Sequence, residues 1–386
     1  MQDMDKVDKV LTSGVAEVLP GKDGLAKVMG DKKIRVYLGI DPTGIQLHLG
    51  HTIPLRKLQQ FAGLGHHAIL LIGTGTVLAG DPSQRKTGRA KITKDEIEKN
   101  IATWKDQASK VIDFAKVELK YNADWLLKLG YADIIEIASH ISSVQLFKRG
   151  MFQERTKKGD VVYTHETLYP LFQGYDSVVL DVDLEIGGTD QTFNMLIGRE
   201  LQKKMKNREK FVLTTPLING TDGKQMSKSS GNCIWLTDSA DEMFGKIMSL
   251  DDSQIESYWQ NLTDLDDSKI TNLKPIDAKK RLASEIVRMY HGQDEASKAQ
   301  SHFENTFQKG QLPEEVETIK LADSEQNLVD FLTDNQLAKS RSDAKRLIDQ
   351  GAIEIDGQTV KDETIEFQNG QVVKIGKKKF VKINLL

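Results

Sequence analysis

Cysteine is almost missing from these 386 residues, with Cys233 standing alone. A single thiol excludes an intramolecular disulfide framework and a cysteine-rich zinc site, and it points to a reducing compartment. No charge of one sign dominates either: 53 Lys and Arg face 56 Asp and Glu, for a formal net charge of -3. A nucleic-acid partner must therefore be met by a local patch rather than by the whole-chain balance. Also missing are an apolar signal core in the opening "MQDMDKVDKVL" and any apolar run approaching the roughly 20 residues that span a bilayer. These absences predict a soluble cytoplasmic protein with no membrane partner. There is no internal repeat, no low-complexity segment and no Walker-type Gly-Lys-Ser/Thr spacing, so an ordinary P-loop is excluded.

What is present is length. At about 150 residues per domain the chain suggests two or three domains with a real core. The runs "IRVYLGI" (34–40) and "HHAILLIGTGTVLAGD" (66–81) are apolar, rich in β-branched residues and closed by Gly, Asp or Pro, which predicts buried parallel strands. Between them, Ile53, Leu55, Leu58, Phe61 and Ala62 recur at helical spacing before Gly65, completing a βαβ unit. From about 93 to 160 the pattern is mostly helical and charged. Strand signals return at "SVVLDVDLEIGG" (177–188) and "KFVLTTPLI" (210–218), so the segment between reads as an insertion in one α/β domain. Residues 238–308 are again helical. After a charged, Pro-containing linker, "QKGQLPEEVETIKLADSEQ", two short helical patterns lead into short strands with turns at "DG" and "NG", a separate module of about 60 residues.

Two stretches carry chemistry. In "GIDPTGIQLHLGH" (39–51) the chain leaves a strand and enters a helix, where unpaired N–H groups receive phosphates. Gly50 lets a nucleotide approach the backbone, and His48 and His51 can donate to phosphate oxygens. Taken alone, such a cluster is more often a set of ordinary polar loop residues than a functional site; as a metal site it is poorer still, with Asp41 the only nearby carboxylate and no cysteine at hand. The second stretch, "DGKQMSKSSGN" (222–232), is a Lys/Ser/Gly loop of the kind that closes over a triphosphate already held elsewhere.

"HLGH" and "QMSKS" resemble two signatures of the class I aminoacyl-tRNA synthetases. With "YLGIDPTGIQLHLGH", "GTGTVLAGDPSQRKTGR", "YPLFQGYD", "IGGTDQTFN" and "DGKQMSKSSGN" in order, the first 235 residues are similar to the bacterial tyrosyl-tRNA synthetases, and the tail to their small RNA-binding domain. The resemblance implies a Rossmann-type parallel-sheet catalytic domain over 1–220 with a helical insertion at about 93–165. A signature lysine loop and helical anticodon-side domain over 221–315 and an α+β RNA-binding domain over 326–386 follow. It implies ATP-dependent activation of tyrosine and its transfer to tRNA(Tyr), a homodimer made through the insertion, and Mg2+ that arrives with ATP, with no tightly bound cofactor and no resident metal.

Carried over by position, the resemblance implies that His48 and His51 hold ATP phosphates while tyrosine carboxylate attacks the α-phosphate. Tyr37 and Asp176 take the substrate's phenol, Asp81, Tyr169 and Gln173 its ammonium group, and Gln191 lies near its carboxylate. Gly188 and Asp190 match ribose contacts, Asp41 and Thr43 nucleotide-side contacts, and Met226 and Ser227 the signature loop. Here the chain departs from the family, because Gln225 replaces the first signature lysine. Lys228 becomes the main candidate for the pyrophosphate, with Lys224 as a substitute and Arg85 and Arg89 adding charge from the opposite side.

The tail carries ten Lys and Arg against nine Asp and Glu over 326–386. Its basic groups cluster at Lys339, Arg341, Lys345 and Arg346, and again at Lys377, Lys378, Lys379 and Lys382, which suits a phosphate backbone. Two rivals are a different nucleotidyltransferase, including the tryptophan-specific relative that shares the histidine corner, and a non-catalytic RNA-binding protein on the same scaffold. Tyr37 with Asp176 and the RNA-type tail argue against the first; the intact motif set argues against the second, while Gln225 keeps it open.

Overall fold

The strand β2 (Arg35–Ile40) pairs in parallel with β3 (His67–Ile72), Tyr37 opposite Ile69, around the helix Leu49–Gly63. Both strands are nearly continuous apolar runs because both faces of the sheet are covered, and Val36, Leu38 and Ala68 through Ile72 are buried accordingly. The helix turns Leu49, Ile53, Leu55, Leu58, Phe61 and Ala62 inward, at the spacing that marks one helical face. In the computed structural model, which describes residues 4–81, 93–305, 317–362, 364–376 and 379–385, these elements belong to the first of two compact units, Met1–Gln293 and Asp294–Leu386.

The first unit holds a six-stranded sheet in the order β1-β6-β5-β2-β3-β4. β4 (Val117–Tyr121), β5 (Leu184–Gly188) and β6 (Phe211–Thr215) run parallel with β2 and β3, and β1 (Glu17–Leu19) closes the edge antiparallel to β6. Strand order reverses between β2 and β5, so a crevice opens at their carboxyl ends, the usual ligand position of such sheets.

The sequence-based expectation needs three corrections of detail. Thr76–Ala79 is a helical turn rather than a continuation of β3. The apolar run from Ser177 is the end of the helix Thr164–Leu180, stopped by Asp181 in the left-handed region at φ 50°; a short apolar run does not by itself tell a buried strand from a buried helix. The insertion contributes β4 to the sheet, alongside its helices. Helices Ala240–Met248, Ile255–Leu262 and Pro275–His291 lie within the first unit.

The second unit has a five-stranded sheet in which Gln358–Thr359 (β10), Ile353–Ile355 (β9), Val372–Ile375 (β12), Lys379–Leu385 (β13) and Glu317–Leu321 (β7) lie side by side in that order, and a two-stranded sheet of Thr364–Glu366 (β11) and Glu325–Asn327 (β8). Its β7 (Glu317–Leu321) comes from the segment expected to be linker and pairs in parallel with β13 (Lys379–Leu385). The helices Leu328–Asp334 and Arg341–Asp349 bury Leu328, Phe331, Leu332, Ala344 and Ile348 against Ile353, Phe367, Val373 and Val381. The "DG" turn has Asp356 at φ 49° and Gly357 at φ 82°, the pair of positive values that a two-residue hairpin turn demands. Among the described residues no helix is long and apolar enough to cross a membrane.

Candidate active site

At the carboxyl ends of β2 and β5 lies a cavity of about 400 Å³, the volume range of small-molecule sites. It brings together Tyr37, Asp41, Thr43, His48, Gly50, His51, Asp81, Tyr169, Gln173, Asp176, Gly188, Asp190, Gln191, Met226, Ser227 and Lys228. Lys224 is not in the lining. Lys224 and Gln225 are both exposed on the turn over 220–225, which backbone hydrogen bonds hold, and of the two only the neutral Gln225 lines the cavity. Arg85 and Arg89 lie outside the described residues, as do Lys377 and Lys378. Lys339, Arg341, Lys345, Arg346, Lys379 and Lys382 belong to the second unit.

One end of the cavity is built to read a polar group in an apolar setting. Tyr37 is fully buried on β2, its hydroxyl 3.0 Å from Ser177 Oγ. Asp176, buried on the helix Thr164–Leu180, accepts from Trp125 Nε1 at 2.8 Å and Asn122 Nδ2 at 3.0 Å. Burial pushes the Asp176 carboxyl well above the usual range, against the pull of these two donors; both of its oxygens accept N–H groups, which favours the ionised form. Burial, with Glu185 and Asp176 nearby, raises the Tyr37 phenol well above 10, so it stays a neutral hydroxyl.

Asn122 also donates to Thr76 Oγ1 at 3.0 Å, and Thr76 to Asp41 Oδ1 at 2.7 Å; Asp41 Oδ2 accepts from Tyr169 at 3.0 Å. A Cβ on Gly73 would stand 1.8 Å from Asp41 Oδ1, so only glycine permits this approach. Asp81 accepts from Gln191 Nε2 at 2.9 Å and meets Arg149 at 3.4 Å.

At the other end His48 caps the helix Leu49–Gly63, with the His51 ring 3.8 Å away centroid to centroid. The His48 backbone N–H donates to His51 Nδ1 at 3.1 Å, which leaves the His51 proton on Nε2. Burial, then the Lys228 charge, lowers His48 to about 3; burial, His48 and Lys228 lower His51 well below 6.5. Both imidazoles are therefore neutral donors beside a helix N-terminus. His48 Nδ1 is buried without a hydrogen-bond partner among the described residues. Lys228 Nζ lies 3.4 Å from Thr43 Oγ1 and 5.5 Å from the centroid of the Trp104 ring, which itself donates to Gly44 O at 2.8 Å. The lysine loop is braced by the buried Asn232, whose amide donates to Asp222 Oδ1 at 2.7 Å and accepts from Ser227 N at 2.9 Å. A cavity with hydroxyl-reading groups at one end and neutral imidazoles, helix N–H groups and a lysine at the other suits an amino acid and a polyphosphate side by side.

Sequence reasoning missed Asn122, Trp125 and Trp104, which carry no motif and reach the site from other elements, and it passed over Thr76, although that residue lies within "GTGTVLAGDPSQRKTGR". Asn232 was visible as the last residue of the lysine-loop stretch. Glu185, Ser177 and Lys210 carried no signal beyond lying in strand-like runs.

The family described as "tRNA synthetases class I (W and Y)" matches residues 29–308, and the "Tyrosine--tRNA ligase SYY-like C-terminal domain" matches 308–383. The tyrosine–tRNA ligase of Thermotoga maritima is 41% identical, with 97% of this chain and 96% of that protein covered; that of Shewanella oneidensis is 39% identical over 100% of both. Among solved structures, a C-terminally truncated mitochondrial tyrosyl-tRNA synthetase of Aspergillus nidulans shares the fold at a TM-score of 0.67 and 24% identity, covering 79% of this chain and 94% of that one. The Archaeoglobus fulgidus tyrosyl-tRNA synthetase complexed with L-tyrosine does so at 0.62 and 22%, covering 77% and 100%.

Proposed function

We propose that this chain, which belongs to the class I tRNA synthetases of the W and Y group, uses the cavity between β2 and β5 to join tyrosine to ATP and then passes the tyrosyl group to tRNA. Its activity is that of a tyrosine–tRNA ligase, the tyrosylation of tRNA(Tyr), with ATP as a substrate. The observation that carries the assignment of residues is the polarity of the cavity, with Tyr37 and Asp176 lining one end and His48, His51 and Lys228 the other.

In this reading the tyrosine phenol donates to Asp176 and meets Tyr37, while Asp81, Tyr169 and Gln173 surround the ammonium group and Gln191 the carboxylate. The carboxylate oxygen attacks the α-phosphorus in line, the bond to the bridging oxygen breaks, and pyrophosphate leaves. Such a displacement needs alignment and charge neutralisation rather than a protein nucleophile. His51 Nε2–H, His48, the helix N–H groups and Lys228 neutralise the charge that builds on the leaving oxygens, and Asp190 and Gly188 take the ribose. Neither histidine acts as a base. A tRNA hydroxyl then attacks the mixed-anhydride carbonyl and AMP leaves. Mg2+ enters with ATP as part of the substrate.

Several further assignments belong to the same reading. The helical region from 221 to 315 serves the anticodon side, and 326–386 binds RNA through its basic groups. The protein is a cytoplasmic homodimer paired through the insertion, an arrangement supported by Tyr131, Ile135, Val144 and Phe147, which expose apolar side chains there. Amino-acid-dependent ATP–pyrophosphate exchange with each of the twenty amino acids tests the assignment. Exchange with tyrosine alone is expected, and Asp176→Ala should lower kcat/KM by at least about 2 kcal/mol, some thirty-fold, since a hydrogen bond to a charged group is lost and a partner left unpaired. Exchange with tryptophan, or a near-unchanged Asp176→Ala, overturns it.

A further inference from the structure

We propose that Lys210, outside the cavity lining, and Glu185, within it, form a positioning pair at the tyrosine end, setting which neighbouring groups donate and which accept and so holding the pocket to tyrosine. The inference rests on the reading of the cavity as a tyrosine site.

Lys210 immediately precedes β6 and has no exposure at all, and Glu185, on the adjacent β5, is 2% exposed; the two are ion-paired. Burial pulls the Lys210 ammonium down in pKa while Glu185 pulls it up. An ion pair taken so completely out of water is a poor choice for stability alone, because both charges lose hydration that an apolar pair of equal volume never needs. The fold nevertheless makes room for it. A Cβ on Gly198 would lie 2.6 Å from Lys210 Nζ and 3.1 Å from Ser177 Oγ, and one on Gly174 would lie 3.0 Å from Gly198 Cα. Two helices, Thr164–Leu180 and Thr192–Lys206, thus meet glycine to glycine and leave a slot for the ammonium group.

From that slot the hydrogen bonds run outward to both ends of the amino-acid pocket. Lys210 donates to Ser177 Oγ at 2.8 Å, and Ser177 Oγ lies 3.0 Å from the Tyr37 hydroxyl and 3.3 Å from Glu185 Oε2. Glu185 Oε1 accepts from Gln173 Nε2 at 3.0 Å. Gln173 Oε1 then accepts from Asn194 Nδ2 at 3.0 Å, Asn194 donates also to Gln191 Oε1 at 2.9 Å, and Gln191 Nε2 donates to Asp81.

Every intermediate group in these chains is a hydroxyl or an amide, which can reverse its donor and acceptor sense. Lysine has only donors and an ionised glutamate only acceptors. The pair therefore gives the network a fixed direction. The Gln173 amide must turn its nitrogen to Glu185 and its oxygen to Asn194, and the Ser177 oxygen is committed to accepting from Lys210. Lys210 is a positioning residue that touches no substrate, and its effect reaches the pocket through Ser177, Glu185 and Gln173.

The test compares the full-length chain with Glu185→Gln, Lys210→Met and the double variant Lys210→Met/Glu185→Gln. In pyrophosphate exchange, KM for tyrosine, KM for ATP and the kcat/KM ratio of tyrosine to phenylalanine are read beside Tm. Lys210→Met and Glu185→Gln should each raise tyrosine KM and lower the tyrosine-to-phenylalanine ratio by about ten-fold or more, the scale of a charged hydrogen bond left unmade, with ATP KM nearly unchanged. The double variant should recover part of the Lys210→Met loss, because it no longer buries an unpaired carboxylate. If Lys210→Met does not fold, Glu185→Gln and the double variant decide. Changes in tyrosine KM and in the ratio below about ten-fold, or equal losses for tyrosine and ATP that track Tm, overturn the proposal. Absence of tyrosine-dependent exchange in the unaltered protein sinks the tyrosine reading and the pair's role together; exchange in that protein with unaffected variants sinks the pair's role alone.

Discussion

Inside the first unit, ionisable side chains sit buried among fixed partners: Lys210 is paired with Glu185, Arg155 with Glu166, and Asp176 accepts from the neutral donors Asn122 and Trp125. In the second unit Arg341 and Arg346 keep 65% and 64% of their side chains exposed and meet Asp330 and Asp343 on the surface, over an apolar core. The same residue types behave differently in the two settings because the surrounding medium differs. A buried charge interacts through a low effective dielectric and escapes salt screening, whereas an exposed pair is screened within about 10 Å at moderate ionic strength. Charge in the first unit is thus suited to orienting a small substrate, and charge in the second to a polyanion met in water.

The sharpest way to break this contrast is to remove Lys228, the one lysine among the described residues that lines the cavity. Lys228→Ala should lower kcat for tyrosyl-adenylate formation by about 10²–10³, the cost of losing one positioned stabiliser of developing charge, while tyrosine Kd stays constant. Single-turnover rates set against equilibrium tyrosine binding decide it. A change confined to tyrosine Kd would show that Lys228 serves the amino acid rather than the phosphates.

A smaller effect is expected from pH. His48 titrates at about 3 in the folded chain, lowered from 6.5 by burial and then by Lys228. The folded value lies below the unfolded one, so the unfolded chain takes up protons first as pH falls. The stability associated with neutral His48 is complete above about 6.5 and is lost progressively towards 3. Between pH 7 and 5 this group should cost about 2 kcal/mol of unfolding free energy, and His48→Asn should flatten that slope. Denaturant midpoints of both proteins across this range provide the measurement; parallel slopes would mean that His48 takes up its proton in the folded state as readily as in the unfolded one.

The smallest effects belong to the tail. Arg341→Ala and Arg346→Ala should leave pyrophosphate exchange and Tm nearly unchanged, yet each should reduce the slope of log K against log salt for tRNA binding by about one. Binding titrations at several salt concentrations read this directly. An unchanged slope in both variants would remove the helix Arg341–Asp349 from the RNA surface and leave the contrast between the units without its functional half.

How much of this was legible beforehand depended on the reach of each signal. The βαβ unit around "HLGH" could be read because periodicity and a loop closed by glycine are local properties. The "DG" turn is local too, and Asp356 and Gly357 adopt the expected backbone. The run from Ser177 to Val182 was misread because an apolar stretch of that length satisfies a helix or a strand equally until the helix Thr192–Lys206 packs on it. β4 was missed inside a largely helical segment because its pairing with β3 lies far along the chain.

By itself the sequence determined which chemical groups exist and in what order: two histidines at the entry to a helix, a loop with Lys228 in place and Gln225 where a lysine is usual, a lone cysteine, and a tail with two basic clusters. Only the tertiary structure decided which of those groups share a site. Asn122 and Trp125 reach Asp176 across more than fifty positions, the Lys228 ammonium lies over Trp104, Gln225 joins the cavity lining while Lys224 does not, and Lys210 finds Glu185 in a slot left by two glycines. Backbone preferences act over a few residues and can be read along the chain. Hydrogen bonds, burial and the pKa shifts they cause act through space, and they exist only once strands and helices distant in sequence have packed together.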